Sequence, residues 1–247
     1  VPSNATAAIV FARTGRLDKA REIVDWIFDN LVREDGLLND GIRMRMSGPE
    51  VVEKVYTYNQ GTALGASLEI ALALREDVGL AHDEQIDSFE YSERADASMF
   101  YITHIRAIVQ AVALHMANPQ GVLLSPPEES GEGDGGLFKG ILARYLAEVA
   151  ERLPEDSKEN IATKKIAARL VMQSAESLWA HRLEVDGLPV FAAEWTQDAK
   201  LPHNYGLGPA SISEAVGLVR IDERDLSVQL SGWMLLEAAA RVAAAQG

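Results

Sequence analysis

Along most of this chain apolar residues recur at the three- and four-residue spacing of an α-helix, and the helices so predicted come in pairs. A short first helix, capped by Ser3 or Asn4, runs to about Arg13 through Ala7, Ala8, Ile9, Val10 and Phe11. After a turn at Thr14, Gly15 and Arg16, a second helix carries Leu17, Ala20, Ile23, Val24, Ile27, Phe28 and Leu31 on one side. Asp18, Glu22, Asp25 and Asp29 occupy the other side, which makes it an outer, half-solvated helix. Residues 37–54 read as a loop with turns at Asp40-Gly41 and Gly48-Pro49. The stretch Tyr56-Thr57-Tyr58-Asn59-Gln60-Gly61-Thr62 then opens a third helix, to about Arg75, that is apolar or small on nearly every face. A helix without a polar side is expected to be buried all round.

The pairing continues downstream. An acidic connection over 76–91 leads to an outer helix over 92–115, stopped at Asn118-Pro119, and residues 122–124 suggest a short extended piece. Residues 125–136, rich in Pro, Gly and acid, read as a surface loop. A fifth helix begins at Leu137 and breaks at Pro154, and a sixth, amphipathic one spans about 157–182. A long loop over 187–208 carries Phe191, Trp195, His203 and Tyr205. Asp225 or Ser227 caps a last helix over 228–245. Three such pairs and a final buried helix predict an all-α toroid of inner and outer helices rather than a four-helix bundle, with an α-solenoid as the second choice.

Composition narrows the partners more than the fold. The formal net charge is −14, which disfavours nucleic acid and anionic membranes, whereas a neutral polysaccharide or oligosaccharide is compatible. There is no cysteine, and His82, His104, His115, His181 and His203 lack metal-binding spacing, so neither a metal nor another cofactor is expected. No uninterrupted apolar run reaches the roughly 18 residues of a membrane span. No leader is visible at Val1-Pro2, and the compartment stays open.

In a toroid the inner helices run parallel, so their first turns share one face. Asn4, Tyr58, Asn59, Gln60, Phe138, Lys139, Ser227 and Gln229 all lie at such starts. Amides, hydroxyls, one ammonium and flat rings suit a sugar chain, whose hydroxyls need donors and acceptors and whose carbon faces need a platform. The alternative for each is a helix cap, least satisfactory for Lys139, whose charge opposes the helix dipole there. Glycoside hydrolysis needs two carboxyl groups. The loop acids Asp40, Glu53, Asp134 and Glu194 are candidates, though each reads more readily as a turn residue or solvated charge, and Trp195 more readily as core than as a sugar platform.

The stretch Tyr56 to Thr62 resembles the signature of the family 76 glycoside hydrolases, the endo-α-1,6-mannanases. Pro2-Ser3-Asn4-Ala5, Asp25-Trp26, Gly36-Leu37-Leu38-Asn39-Asp40-Gly41, Phe138-Lys139-Gly140 with Arg144-Tyr145, and Ser227-Val228-Gln229 extend the likeness in order. The resemblance implies an (α/α)6 barrel, retaining endo-hydrolysis of α-1,6-linked mannan, and no required metal. It also implies that Asn4, Asp40, Tyr58, Asn59, Gln60, Phe138, Lys139 and Gln229 bind mannan. The fold is shared with fungal cell-wall transglycosidases. Family members act through two adjacent aspartates upstream of the matched region, and this chain contains no Asp-Asp dipeptide. Residues 1–247 are therefore expected to form one glycoside hydrolase domain that lacks its N-terminal helices, with no catalytic residue of its own. Three alternatives are a non-catalytic glycan-binding or scaffold protein of the same fold, a cell-wall transglycosidase, and another (α/α)6 enzyme such as an unsaturated glucuronyl hydrolase. An anionic substrate would want more cations than Lys139 and Arg144.

Overall fold

The computed structural model describes residues 1–80, 88–129, 134–200 and 225–246. Among them lie seven α-helices: α1 (Pro2–Arg13), α2 (Leu17–Leu31), α3 (Thr57–Leu80), α4 (Ser88–His115), α5 (Gly135–Arg152), α6 (Lys158–Ala180) and α7 (Leu226–Gln246). Two antiparallel hairpins join them, β1 (Gly41–Arg45) with β2 (Gly48–Val52) and β3 (Leu183–Val185) with β4 (Leu188–Val190). Helices α1, α3, α5 and α7 form an inner row in that spatial order, and α2, α4 and α6 cover it from outside. The expected all-α architecture of the α/α toroid type is the one observed.

The inner row is held close by missing side chains. A methyl added at Gly61 of α3 would lie 2.8 Å from Leu142 Cα of α5, and one at Gly140 of α5 would lie 2.7 Å from Ser231 Cα of α7. Gly65 receives the Tyr145 ring in the same way. Main chain thus meets main chain along α3, α5 and α7, and the core fills around them with Leu64, Leu68, Ile70, Leu142, Leu146 and Leu235. Away from the first turns of these helices Arg13 of α1 and Arg152 of α5 converge on Glu69 of α3 at 2.6 and 2.5 Å, while Arg241 of α7 reaches Glu151 of α5 at 2.5 Å. Burial pushes the Glu69 carboxyl up, but the two guanidiniums outweigh it and hold it below the ordinary carboxylate value.

Several local expectations change. Gly41 opens β1 instead of a turn with Asp40, and Gly48 pairs with Arg45, so the reversal lies at Met46 and Ser47. The acidic stretch over 76–91 is largely helical at its described ends, because Glu and Arg are good helix formers and charge alone does not stop a helix. The first part of the supposed loop over 187–208 belongs to the second hairpin, turned at Asp186 (φ 52) and Gly187 (φ 75), the paired left-handed residues of a two-residue hairpin turn. His203 and Tyr205 lie outside the described residues. Residues 92–115 reach the length and mean hydropathy (1.3) of a membrane span. They nevertheless belong to an outer-layer helix whose Tyr101, Ile102, Ile105, Val109 and Val112 pack into the core.

Because backbone stands in the way at Gly140 while Gly41 has open space around it, Gly140→Ala is expected to cost about 1–3 kcal/mol and Gly41→Ala less than about 0.5 kcal/mol in urea unfolding. Equal effects of the two would contradict the close approach of α5 and α7.

Candidate functional site

The first turns of the inner helices meet at one end of the toroid, and each is tied there by its own sequence. Tyr58 and Asn59, at the start of α3, both donate to Asp40 Oδ1, the hydroxyl at 3.1 Å and Nδ2 at 3.2 Å. The main-chain nitrogen of Val1, just ahead of α1, donates to the Asp40 carbonyl at 2.5 Å. From α5, Phe138 places its ring edge-on to Tyr58, centroids 4.1 Å apart, and to Tyr56 at 5.7 Å. Gly136 of α5 lies against Ser227 of α7. The predicted gathering of amide-, hydroxyl- and ring-bearing residues around one end is therefore present in space.

These residues do not play equal parts. Gln60 spends its whole amide on the main chain, accepting from Leu38 N at 2.9 Å and donating to the Leu38 and Tyr56 carbonyls at 3.1 Å each. Gln229 does the same to Phe191, accepting from its N–H at 3.1 Å and donating to its carbonyl at 2.9 Å. Both glutamines fasten the segment that follows an outer helix onto the next inner helix. Leu38 and Phe191, the residues held this way, are fully buried. Asn4 is exposed on the first turn of α1, whereas Asn59 is buried with no partner for its Oδ1 among the described residues. Tyr58 and Phe138 are the half-buried aromatic surface of the cluster, and Asp40 is half-buried beneath them. Burial, then the Asp40 carboxylate, push the Tyr58 phenol far above its ordinary range, so it remains a hydrogen-bond donor.

Lys139 is only 2% exposed. Its ammonium donates to the Ala193 carbonyl at 2.8 Å, lies 3.5 Å from Glu194 Oε2 and sits 4.7 Å from the Trp195 ring centre. Burial lowers its pKa against the opposing pull of Glu194 and Glu129. Trp195, itself buried, is the floor under this ammonium rather than an open platform. Of the other loop acids, Glu53 and Asp134 are exposed, and Arg144 turns away toward Glu148.

Sequence reasoning missed Glu129, which sits in a 3-10 turn over Pro127–Glu129. It is 1% exposed, and its Oε1 accepts the Thr57 N–H at the first residue of α3. Burial raises its pKa to about 7, opposed by the Thr57 hydrogen bond and by Lys139. Within Ser125-Pro126-Pro127-Glu128-Glu129 the only sequence signal was the rigid proline pair ahead of it. No cluster of His, Cys, Asp or Glu suited to a metal occurs among the described residues.

Two outcomes follow from this geometry. A carboxyl whose folded pKa lies above its unfolded value contributes stability that is complete below the unfolded pKa and is lost as pH rises through the folded one. Wild-type protein should therefore lose about 3 kcal/mol relative to Glu129→Gln between pH 4 and pH 8, read by urea unfolding at each pH; a constant difference would contradict the assignment. Asp40→Ala strands the buried Asn59 amide and should cost roughly 1–3 kcal/mol, while Tyr58→Phe, which removes a single donor, should cost about 1 kcal/mol or less. The reverse order would show that Asp40 does not organise the cluster.

The fold recurs in solved structures. An α-1,6-mannanase, GH76A of Salegentibacter sp. HEL1_6, is 25% identical over 96% of this chain with a TM-score of 0.66. An inactive variant of it, with two adjacent aspartates replaced by alanine and in complex with α-1,6-mannotetrose, matches with a TM-score of 0.65. The Lin0763 protein of Listeria innocua shares the fold at 24% identity and a TM-score of 0.63. This chain spans 57% of the mannanase and 55% of the Listeria protein. A comparison with curated protein sequences finds no match. The model of glycosyl hydrolase family 76 matches residues 11–215, most of the length, and the chain belongs to that family.

Proposed function

We propose that this chain forms the substrate-binding part of a glycoside hydrolase that cleaves α-1,6-linked mannan internally with retention of configuration. The observation that carries the reading is the gathering of Tyr58, Phe138, Asn59 and Asp40 around one end of a family 76 toroid. Half-buried rings backed by a fixed carboxylate and amide are the equipment that holds a hexose by its carbon face and its hydroxyls. The Salegentibacter mannanase, whose inactive variants hold α-1,6-mannotetrose and mannotriose, supports the choice of sugar. In this reading Asp40, Tyr58 and Phe138 touch mannan directly and Asn4 lies at the rim. Asn59, Gln60, Lys139 and Gln229 set the walls, since their polar atoms are buried or spent on neighbours.

Retaining hydrolysis takes a nucleophilic carboxylate and an acid/base carboxyl about 5 to 5.5 Å apart. The sequence has no adjacent aspartates, and the mannanase variants without theirs are inactive. The proposal therefore assigns the reacting pair to helices outside residues 1–247, in a single (α/α)6 domain of which this chain is the larger part. The flank of α7 supports that assignment: Leu226 is 78% and Trp233 61% exposed, with Leu230 one turn from each. Apolar residues at such spacing on an edge helix are suited to cover by another helix.

The missing carboxylate pair also favours a second reading, a glycan-binding protein with the same groove and no chemistry. Release of reducing ends from α-1,6-mannan by the full gene product separates the two. Hydrolysis abolished in Tyr58→Ala and Phe138→Ala, with the fold intact by circular dichroism, is the expected result. Binding of mannotetraose without any reducing-end release would establish the second reading instead, and no binding of mannan oligosaccharides would end both.

A further inference from the structure

We infer that Glu129 is a positioning residue for the groove: reaching from the turn between α4 and α5, its carboxylate holds the first turn of α3 from outside and thereby sets Tyr58 and Asn59 against Asp40. The inference rests on the proposed function only for what the groove binds.

The geometry is specific. Thr57 opens α3 and gives its N–H to Glu129 Oε1. The next two residues are the two that donate to Asp40. Anything that shifts the Thr57 amide therefore shifts the Tyr58 hydroxyl and the Asn59 amide with it. Among the described residues, the charged groups felt by Glu129 are Lys139 of α5, which attracts the carboxylate, and Glu194, which repels it; the Tyr58 phenol on α3 also feels its charge. Lys139 is in turn fixed by Ala193 and Glu194, so the ammonium that attracts Glu129 is itself held by a different connecting segment.

Stability does not explain the residue. Glu129 Oε2 has no hydrogen-bond partner among the described residues, and burial keeps the acid from ionising below about pH 7. A neutral amide could accept the Thr57 N–H equally well in geometry and at lower desolvation cost. What an amide cannot do is supply the charge-assisted bond and the attraction for Lys139. A buried, costly ionisable group beside a groove is the pattern expected where charge serves position rather than stability.

Nuclear magnetic resonance of the intact chain tests this without sugar. In wild type, the Thr57 backbone amide and the Asn59 side-chain amide should titrate together with a midpoint near 7, and both should become flat in Glu129→Gln. Asn59 signals that ignore the Thr57 transition, or a transition that survives in Glu129→Gln, would overturn the inference. Should Glu129→Gln fail to fold, the wild-type titration and Glu129→Asp, expected to keep the transition with a displaced midpoint, carry the same decision. Mannotetraose is then added: affinity in wild type should rise about five- to tenfold from pH 6 to pH 8, and Glu129→Gln should hold the low value throughout. A pH-independent affinity with the amide transitions present would overturn the positioning role. No binding at any pH, with both transitions present and lost in Glu129→Gln, supports the role of Glu129 and refutes the mannan reading.

Discussion

The close approach of parallel inner helices is the constraint on which the rest of the molecule depends. Gly61 and Gly140 let α3, α5 and α7 meet backbone to backbone, and Gly136 makes room for the Ser227 and Val228 side chains of α7. Only at that separation do the Tyr58 and Phe138 rings, on different helices, come within 4.1 Å of one another. A glycine in a helix interior is intrinsically unfavourable by roughly 0.5–1 kcal/mol relative to alanine, so the packing gained across these contacts has to exceed that amount.

Parallel helices impose an electrostatic condition as well. Their positive N-terminal ends and unsatisfied N–H groups collect on one face and call for acceptors there. Asp40 and Glu129 provide them, one bonding side chains of the first turn and the other its backbone. Lys139 appears misplaced in this field until its surroundings are counted. Ala193, Glu194, Glu129 and the Trp195 ring all compensate its charge. At the opposite end the sign reverses, and Arg13, Arg152 and Arg241 gather where helix carbonyls end.

The connections repeat a device that ties the layers together. After α2, α4 and α6 come Gly36, Gly121 and Gly187, each with a left-handed φ, and shortly after each a fully buried Leu38, Leu123 or Phe191. Gln60 and Gln229 clasp the first and third of these residues through N–H and carbonyl alike, and Ser174 accepts from the N–H of the second. The repetition is in geometry and in a few positions rather than in the sequence at large.

The sequence by itself determined the helices, their inner or outer rank and the family. The 3.6-residue period, the nonpolar faces of α3 and α7 and the ordered motifs from Gly36 to Gln229 are all properties of local chemistry. It also determined that residues at inner-helix starts would share one end, because that follows from parallel packing. Only the tertiary structure decided which of those residues remain open to a ligand. Gln60 and Gln229 look like sugar-binding amides in the sequence and prove to be fastened to main chain far from them in sequence, and Trp195 becomes a buried floor. Glu129 shows the same limit from the other side. In an acidic, proline-rich stretch it reads as a solvated surface charge, and only its burial beneath the first turn of α3, more than seventy residues away, gives it a partner and an unusual pKa. Solvation is a property of the assembled surface, so no spacing along the chain could have carried it.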